Sequence, residues 1–420
     1  MNPFPLLLAL LPTDPFVRHA LPGGAELLVL EAPGAPGESI FVALPHGLLD
    51  DLPGAAQESH LLEHFLIRGA EQDGLLVDGL RINGETNGAT LRLEVLAPAE
   101  RWRDALARPA RWLATRTASA EVLAREQQRI GAEELSTASG GFTHKWALAA
   151  WSQVVAGGLE RAAVHGDPAG AKLDGLGARA EELARLGPGA RIVAAGPAKA
   201  DEVLELVRKE YAASLRPPAA APAPKVAPEC KAYRASWDLA GEHELVWILL
   251  PVREPVDRAA AWVLEQAAWM SLAQSGKGLW NPGQALAELA VLPGLGRALL
   301  LSAGGFEPAR SDEVHARLED VCKRLASEKS WESLLASCRM QIGEAPDFAA
   351  QRKQLAGNPM AAWIEGQYAL NLLALELRIG LDVPRLRAEL GGKAGERAAA
   401  LARTLADPAR RGSLRLRGKR

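Results

Sequence analysis

Residues 59–66 read Ser59-His60-Leu61-Leu62-Glu63-His64-Phe65-Leu66 and hold two of the chain's eight histidines. On a helix, positions four apart project from one face, so His60 and His64 would present two imidazoles to a single metal ion. Glu63 lies beside them. A carboxylate in that place need not be a ligand; it can take the proton from an attacking water as a general base. The alternative is two partly buried imidazoles on a leucine-rich helix with no metal.

A catalytic metal site generally has three protein ligands and an open position, so a third donor is needed. Working outward, the next informative stretch is Ala120-EVLAREQQRIGAEE-Leu135, which reads as a helix. Glu126 and Glu133 are seven residues apart, two helical turns, and share a face. Glu134 points about 100° away. One of the pair can bind metal while the other holds a ligating imidazole by a hydrogen bond. Solvated surface carboxylates are the competing reading.

The order His-x-x-Glu-His is the inverzincin motif. With its flanks, Gly54-AAQESHLLEHFLIRG-Ala70 resembles the active-site helix of the pitrilysin/insulinase family of zinc metallopeptidases, which includes the mitochondrial processing peptidase. Glu126-QQRIGA-Glu133 has the spacing of that family's downstream glutamates. Residues 79–95, GLRINGETNGATLRLEV, look like its Gly-Gly-x-x-Asn-Ala-x-Thr segment and the strand that follows. The resemblance covers at least residues 15–215. It implies that His60, His64 and Glu133 bind one Zn2+ per chain, that Glu63 is the general base, and that Glu126 is the catalytic set's supporting carboxylate.

Asn83 matches the family's asparagine beside the active site, which implies a hydrogen bond to a substrate backbone; an ordinary Asn-Gly turn is the alternative. Gly84 replaces the family's alanine and is expected to leave room for close approach of a peptide. The strand Leu91–Val95 is expected to offer an edge to which an extended peptide adds itself.

The chain has 420 residues and 44.7 kDa, enough for more than one compact domain. The Pro/Ala-rich stretch 216–228, RPPAAAPAPKVAP, reads as a linker between an N-terminal peptidase domain, residues 1–215, and a C-terminal homologous domain, residues 229–420. Strand-type segments are Glu26–Leu30, Ser39–Leu44, Leu91–Val95, Arg191–Ala195 and Leu245–Val252. They alternate with helical stretches without a strict βαβ rhythm. The expected fold is α+β, with two homologous α/β domains, each a mixed, mostly antiparallel sheet flanked by helices.

The later domain departs from the family pattern. Active members place an Arg and a Tyr there, seven residues apart, facing the substrate. Aligning Gly294-Leu295 with the family's Gly-Leu puts Ala290 at the first position and Arg297 at the second. Three readings follow. The chain is the metal-bearing half of a heterodimer whose homologous partner supplies the Arg/Tyr pair, or it is a homodimeric peptidase using other groups, or it is a non-catalytic scaffold subunit. The resemblance further implies that substrates are peptides or unfolded segments entering a closed chamber.

Composition narrows the classes. Charged residues are 24% and the formal net charge is −3, and the basic residues form no stripe, which argues against nucleic acid as a partner. Cys230, Cys322 and Cys338 have no CxxC spacing and suggest buried thiols rather than disulfides or metal ligands. No run of about 18 uncharged apolar residues predicts a membrane span. Residues 1–12, MNPFPLLLALLP, lack the positive flank of a complete signal peptide, so cytoplasm and periplasm both stay open. His144 and His165 have no partner at ligand spacing.

Overall fold

The structure is a computed structural model that describes residues 16–33, 35, 37–47, 51, 57–70, 76–86, 90–114, 119–139, 172–216, 232–237, 242–249, 255–276, 278–280, 285–292, 296–342, 375, 376, 379–391 and 393–418. Cys230, His144, His165, the N-terminal apolar run and all of the Pro/Ala stretch except Arg216 lie outside the described residues.

The first half opens with β1 (Val17–Ala20), β2 (Glu26–Glu31) and β3 (Gly37–Leu44), followed by helix α1 (Glu58–Ala70). Then come β4 (Leu76–Val77), β5 (Leu80–Thr86), β6 (Leu91–Pro98), α2 (Trp102–Ala114) and α3 (Ala120–Ser139). A helix over Leu173–Leu183, β7 (Arg191–Gly196) and a helix over Ala200–Glu210 complete it. The seven strands form one sheet in the order β1-β2-β7-β3-β6-β5-β4.

The second half contributes β8 (Ala232–Trp237), β9 (Glu242–Leu249), β10 (Ala285–Leu292), β11 (Gly296–Phe306) and β12 (Arg411–Gly418), ordered β10-β11-β9-β12-β8. Helices over Pro255–Ser275, Ser311–Ala326, Trp331–Gln341, Val383–Glu389 and Ala394–Leu405 accompany this sheet. Five strands of the first sheet repeat in the second. β2 runs parallel to β7, and then β3, β6 and β5 follow antiparallel; β8 runs parallel to β12, and then β9, β11 and β10 follow in the same sense. This is the mixed, mostly antiparallel α+β arrangement expected from the sequence.

Alternation along the strands sends residues to two cores. Leu27, Val29, Ile40, Val42, Leu44, Leu93 and Val95 face the helices of the first half. Leu28, Leu30, Phe41, Val193 and Ala195 point the other way and are continuous with the core of the second half. The central strands β2, β7 and β3 are thus apolar on both faces, the pattern of strands covered on both sides. Cys322 and Cys338 are fully buried there as free thiols.

One expectation is corrected. β6 is paired on both sides, with β3 and with β5, so Leu91–Val95 offers no edge. On the far side of β5, β4 pairs only with Leu80 and Arg81, so Ile82–Thr86 is bordered by no further described strand. The period-two pattern of residues 91–95 identifies a strand but says nothing about its neighbours.

In the second sheet Ala290 and Arg297 stand near one another on a hairpin, Ala290 opposite Ala298 and Val291 opposite Arg297. Residues 293–295 lie outside the described set.

Candidate metal centre

Helix α1 begins beside a network that fixes its first turn. Asp51 is buried, and its Oδ1 accepts from the Ser59 backbone N–H at 2.9 Å and from the Ser59 hydroxyl at 2.5 Å. A side-chain oxygen acceptor at a helix N-terminus satisfies an otherwise orphaned backbone donor. The Ser59 hydroxyl also lies 3.0 Å from His46 Nε2. From this anchor, Leu61, Leu62, Phe65 and Leu66 turn into the core of the first half, all at 2% exposure or less. Each such burial contributes about 1.5–3 kcal/mol, so the helix has little freedom to rotate. Its opposite side carries His60 and His64.

The two imidazoles meet edge to face, with ring centroids 4.9 Å apart. Helix α3 packs against α1 and brings both of its glutamates to them. Glu133 Oε2 lies 3.5 Å from His60 Nε2 and 3.7 Å from His64 Nε2. Glu126 Oε2 lies 3.0 Å from His64 Nδ1, on the other side of the ring. Glu126 is 1% exposed, whereas Glu133 is 53% exposed. The two glutamates share a helix face and have different partners.

Among the described residues, His60, His64 and Glu133 form a group whose donor atoms lie within 4.8 Å of one another. Their spacing can be tested against a metal. Donors bound to tetrahedral zinc at about 2.1 Å stand roughly 3.4 Å apart. The observed 3.5 and 3.7 Å match that separation and exceed an ordinary N–H···O hydrogen bond. The separations of Glu133 from both imidazoles therefore fit a zinc site.

The charges reinforce one another. Burial pushes the His64 imidazole down, but the Glu126 hydrogen bond and the charges of Glu63 and Glu133 outweigh it and leave it raised. Burial likewise pushes Glu126 up, and the hydrogen bonds from His64 and Arg125 and the charge of Arg129 bring it below the ordinary carboxylate range. Glu126 is thus held ionised as the acceptor for His64 Nδ1.

Glu63 is buried on the same helix, and its Oε2 accepts a 2.7 Å hydrogen bond from Thr86 Oγ1 on β5. A Cβ placed on Gly84 would stand 2.3 Å from Glu63 Oε1. The space beside Gly84 is therefore filled by the Glu63 carboxylate, which corrects the expectation that it leaves room for a peptide. Asn83 belongs to the other face of β5. It is exposed and donates through Nδ2 to Glu94 Oε2 at 3.2 Å. The structure thus brings His60, Glu63, His64, Glu126 and Glu133 together, and gives Asn83 a contact with Glu94. Thr86 was missed in the sequence, although strand alternation from Gly84 places it on the same face.

No family profile matches this sequence, and no curated protein is similar to it in sequence. Solved structures are similar in fold. A protease from Helicobacter pylori superposes with a TM-score of 0.63 at 14% identity, over 96% of this chain and 99% of that one. A peptidase M16 inactive domain from Pseudomonas fluorescens gives 0.64 at 15% identity, over 96% and 98%. Pitrilysin gives 0.62 at 14% identity, with 96% of this chain covering 45% of that one. The chain has the fold of the M16 peptidases. That fold is shared with pitrilysin, of whose own length the chain spans a little under half.

Proposed function

We propose that the chain is the metal- and base-bearing subunit of a zinc-dependent endopeptidase that acts on peptides or unfolded segments inside a closed chamber. The observation that carries this reading is the approach of Glu133 Oε2 to both imidazole Nε2 atoms, with the Glu63 carboxylate on the same helix. His60, His64 and Glu133 would hold a zinc ion, which when bound would supply Lewis-acid polarisation for the scissile carbonyl and for water. Glu63 takes the proton of the attacking water and delivers it to the leaving amine. Thr86 holds the Glu63 carboxylate in place through Oε2, and Glu126 holds the His64 ring through Nδ1. Asn83 engages the substrate backbone once its bond to Glu94 is exchanged.

The unit that does this is residues 1–215, followed by the linker 216–228 and a second domain, 229–420. Ala290 and Arg297, where an Arg/Tyr pair is expected, favour completion of the site by a homologous subunit in a heterodimer. An alanine cannot donate a hydrogen bond to a developing oxyanion. A scaffold role is the second reading, favoured by the likeness to the inactive Pseudomonas fluorescens domain.

The test pairs elemental analysis of the purified chain with cleavage of a quenched peptide, alone and with a candidate homologous partner. About one zinc per chain, with cleavage that Glu63→Gln abolishes and metal content that it preserves, is the expected result. Zinc without cleavage under any pairing would leave the scaffold reading, and absence of zinc would remove the metal centre.

A further inference from the structure

Immediately before α1, Gln57 adopts φ 68° and has no side-chain exposure. That backbone conformation is free for glycine and rare for a residue with a long side chain. The Gln57 side chain reaches the first turn of the helix, where Oε1 lies 3.2 Å from His60 Nδ1. Its Nε2 is buried with no hydrogen-bond partner among the described residues. A buried amide with one satisfied end, on a disfavoured backbone, needs a physical reason.

The contact with His60 supplies it. A neutral imidazole carries one proton, and the nitrogen that keeps its lone pair is decided by the hydrogen bond the other nitrogen makes. His64 has Glu126 at Nδ1 for this purpose. Among the described contacts, the acceptor on His60 Nδ1 is Gln57 Oε1. We propose that Gln57 is the positioning residue for His60: its amide oxygen keeps the His60 proton on Nδ1 and so presents Nε2 as a lone pair toward Glu133. The proposal rests on the metal reading above for its purpose, but the proton's position is a property of the metal-free chain.

The amide orientation matters. With oxygen toward the ring, Nδ1–H donates and Nε2 carries the lone pair that a metal needs. With the amide reversed, the Gln57 NH2 would donate to Nδ1, and the proton would sit on Nε2, where metal must bind.

The experiment uses the full-length chain stripped of metal, labelled with 15N histidine and observed above the histidine titration range. The His60 signals are assigned by their loss in His60→Asn. Wild type is expected to show His60 protonated on Nδ1. Gln57→Gly suits the backbone and removes the acceptor, so it should fold and show His60 as a tautomer mixture, with His64 unchanged. Gln57→Glu restores an acceptor and should restore the Nδ1 proton. Zinc affinity should fall about 10–100-fold in Gln57→Gly and recover in Gln57→Glu. A wild-type His60 protonated on Nε2, or one whose tautomer is the same in Gln57→Gly, overturns the proposal. If the wild-type chain takes up no zinc, the metal reading fails by itself, and the imidazole signals still decide what Gln57 does.

Discussion

The Glu63 carboxylate occupies the volume a side chain at Gly84 would need, its Oε1 standing 2.3 Å from where a Cβ at that position would be. Gly84 and the carboxylate share one place in the fold, and Thr86, two residues along the same strand face, holds the other oxygen at 2.7 Å. A methyl group there would also stand 2.7 Å from Glu63 Cγ, so the whole buried side chain has to shift and not the carboxylate alone. Gly84→Ala should therefore cost about 1–3 kcal/mol of stability and turn the carboxylate away from Thr86. Peptidase turnover should fall by about 10²-fold or more, the scale of general-base catalysis, with zinc content unchanged. Full turnover in this variant would mean that the base does not act from the position seen here.

The two glutamates of α3 should separate in metal binding. Glu133→Ala removes the oxygen 3.5 and 3.7 Å from the two Nε2 atoms and should abolish zinc retention. Glu126→Ala removes the acceptor on His64 Nδ1 and should weaken zinc binding by about 10–100-fold. Isothermal titration of both variants decides the assignment; complete loss in Glu126→Ala with retention in Glu133→Ala would exchange their roles.

Glu38, on β3, makes stability depend on pH. Burial pushes its carboxyl up to about 7, only partly offset by the hydrogen bond from the Ala198 backbone N–H. Between about pH 4.5 and 7 the folded chain holds this proton and the unfolded chain does not, so stability declines as pH rises through that window. Below it the contribution is complete, and above it the loss is complete, at about 3 kcal/mol. Asp51, also raised to about 7 by burial, has the same sign. Urea unfolding of Glu38→Gln should show a shallower decline than wild type across the window and greater stability at pH 8. An unchanged slope would mean that Glu38 is ionised in the folded chain.

A buried carboxylate joins the two halves. Glu376 has no exposure, accepts from Arg18 of β1 at 2.5 Å and from the Val383 backbone N–H at 2.8 Å, and lies 3.6 Å from Arg191 of β7. Removing one partner of a buried pair strands the other, at a cost of about 3–5 kcal/mol. Because Arg18 is 23% exposed and can reach water, Glu376→Ala should cost about 3 kcal/mol. A double-mutant cycle with Arg18→Ala should return a coupling above about 0.5 kcal/mol. Simple additivity would show that the contact contributes nothing specific.

The sequence by itself determined what is local or periodic. His60, Glu63 and His64 could be placed on one helix because four-residue spacing repeats a face at 3.6 residues per turn, whatever the helix packs against. The same arithmetic put Glu126 and Glu133 together on α3, alternation marked β6, and short strand-type runs marked β2, β3 and β7. Spacing alone could not tell the two glutamates apart; the family resemblance assigned their roles, and the tertiary structure set Glu133 against the two Nε2 atoms and Glu126 against His64 Nδ1, because that depends on how α3 docks on α1. It also decided that β6 is an inner strand, that Glu63 fills the space beside Gly84, and that Gln57 reaches His60 from a left-handed turn. Strand neighbours and side-chain partners are set by packing between segments far apart in the chain, and residue spacing carries no record of which surfaces will meet.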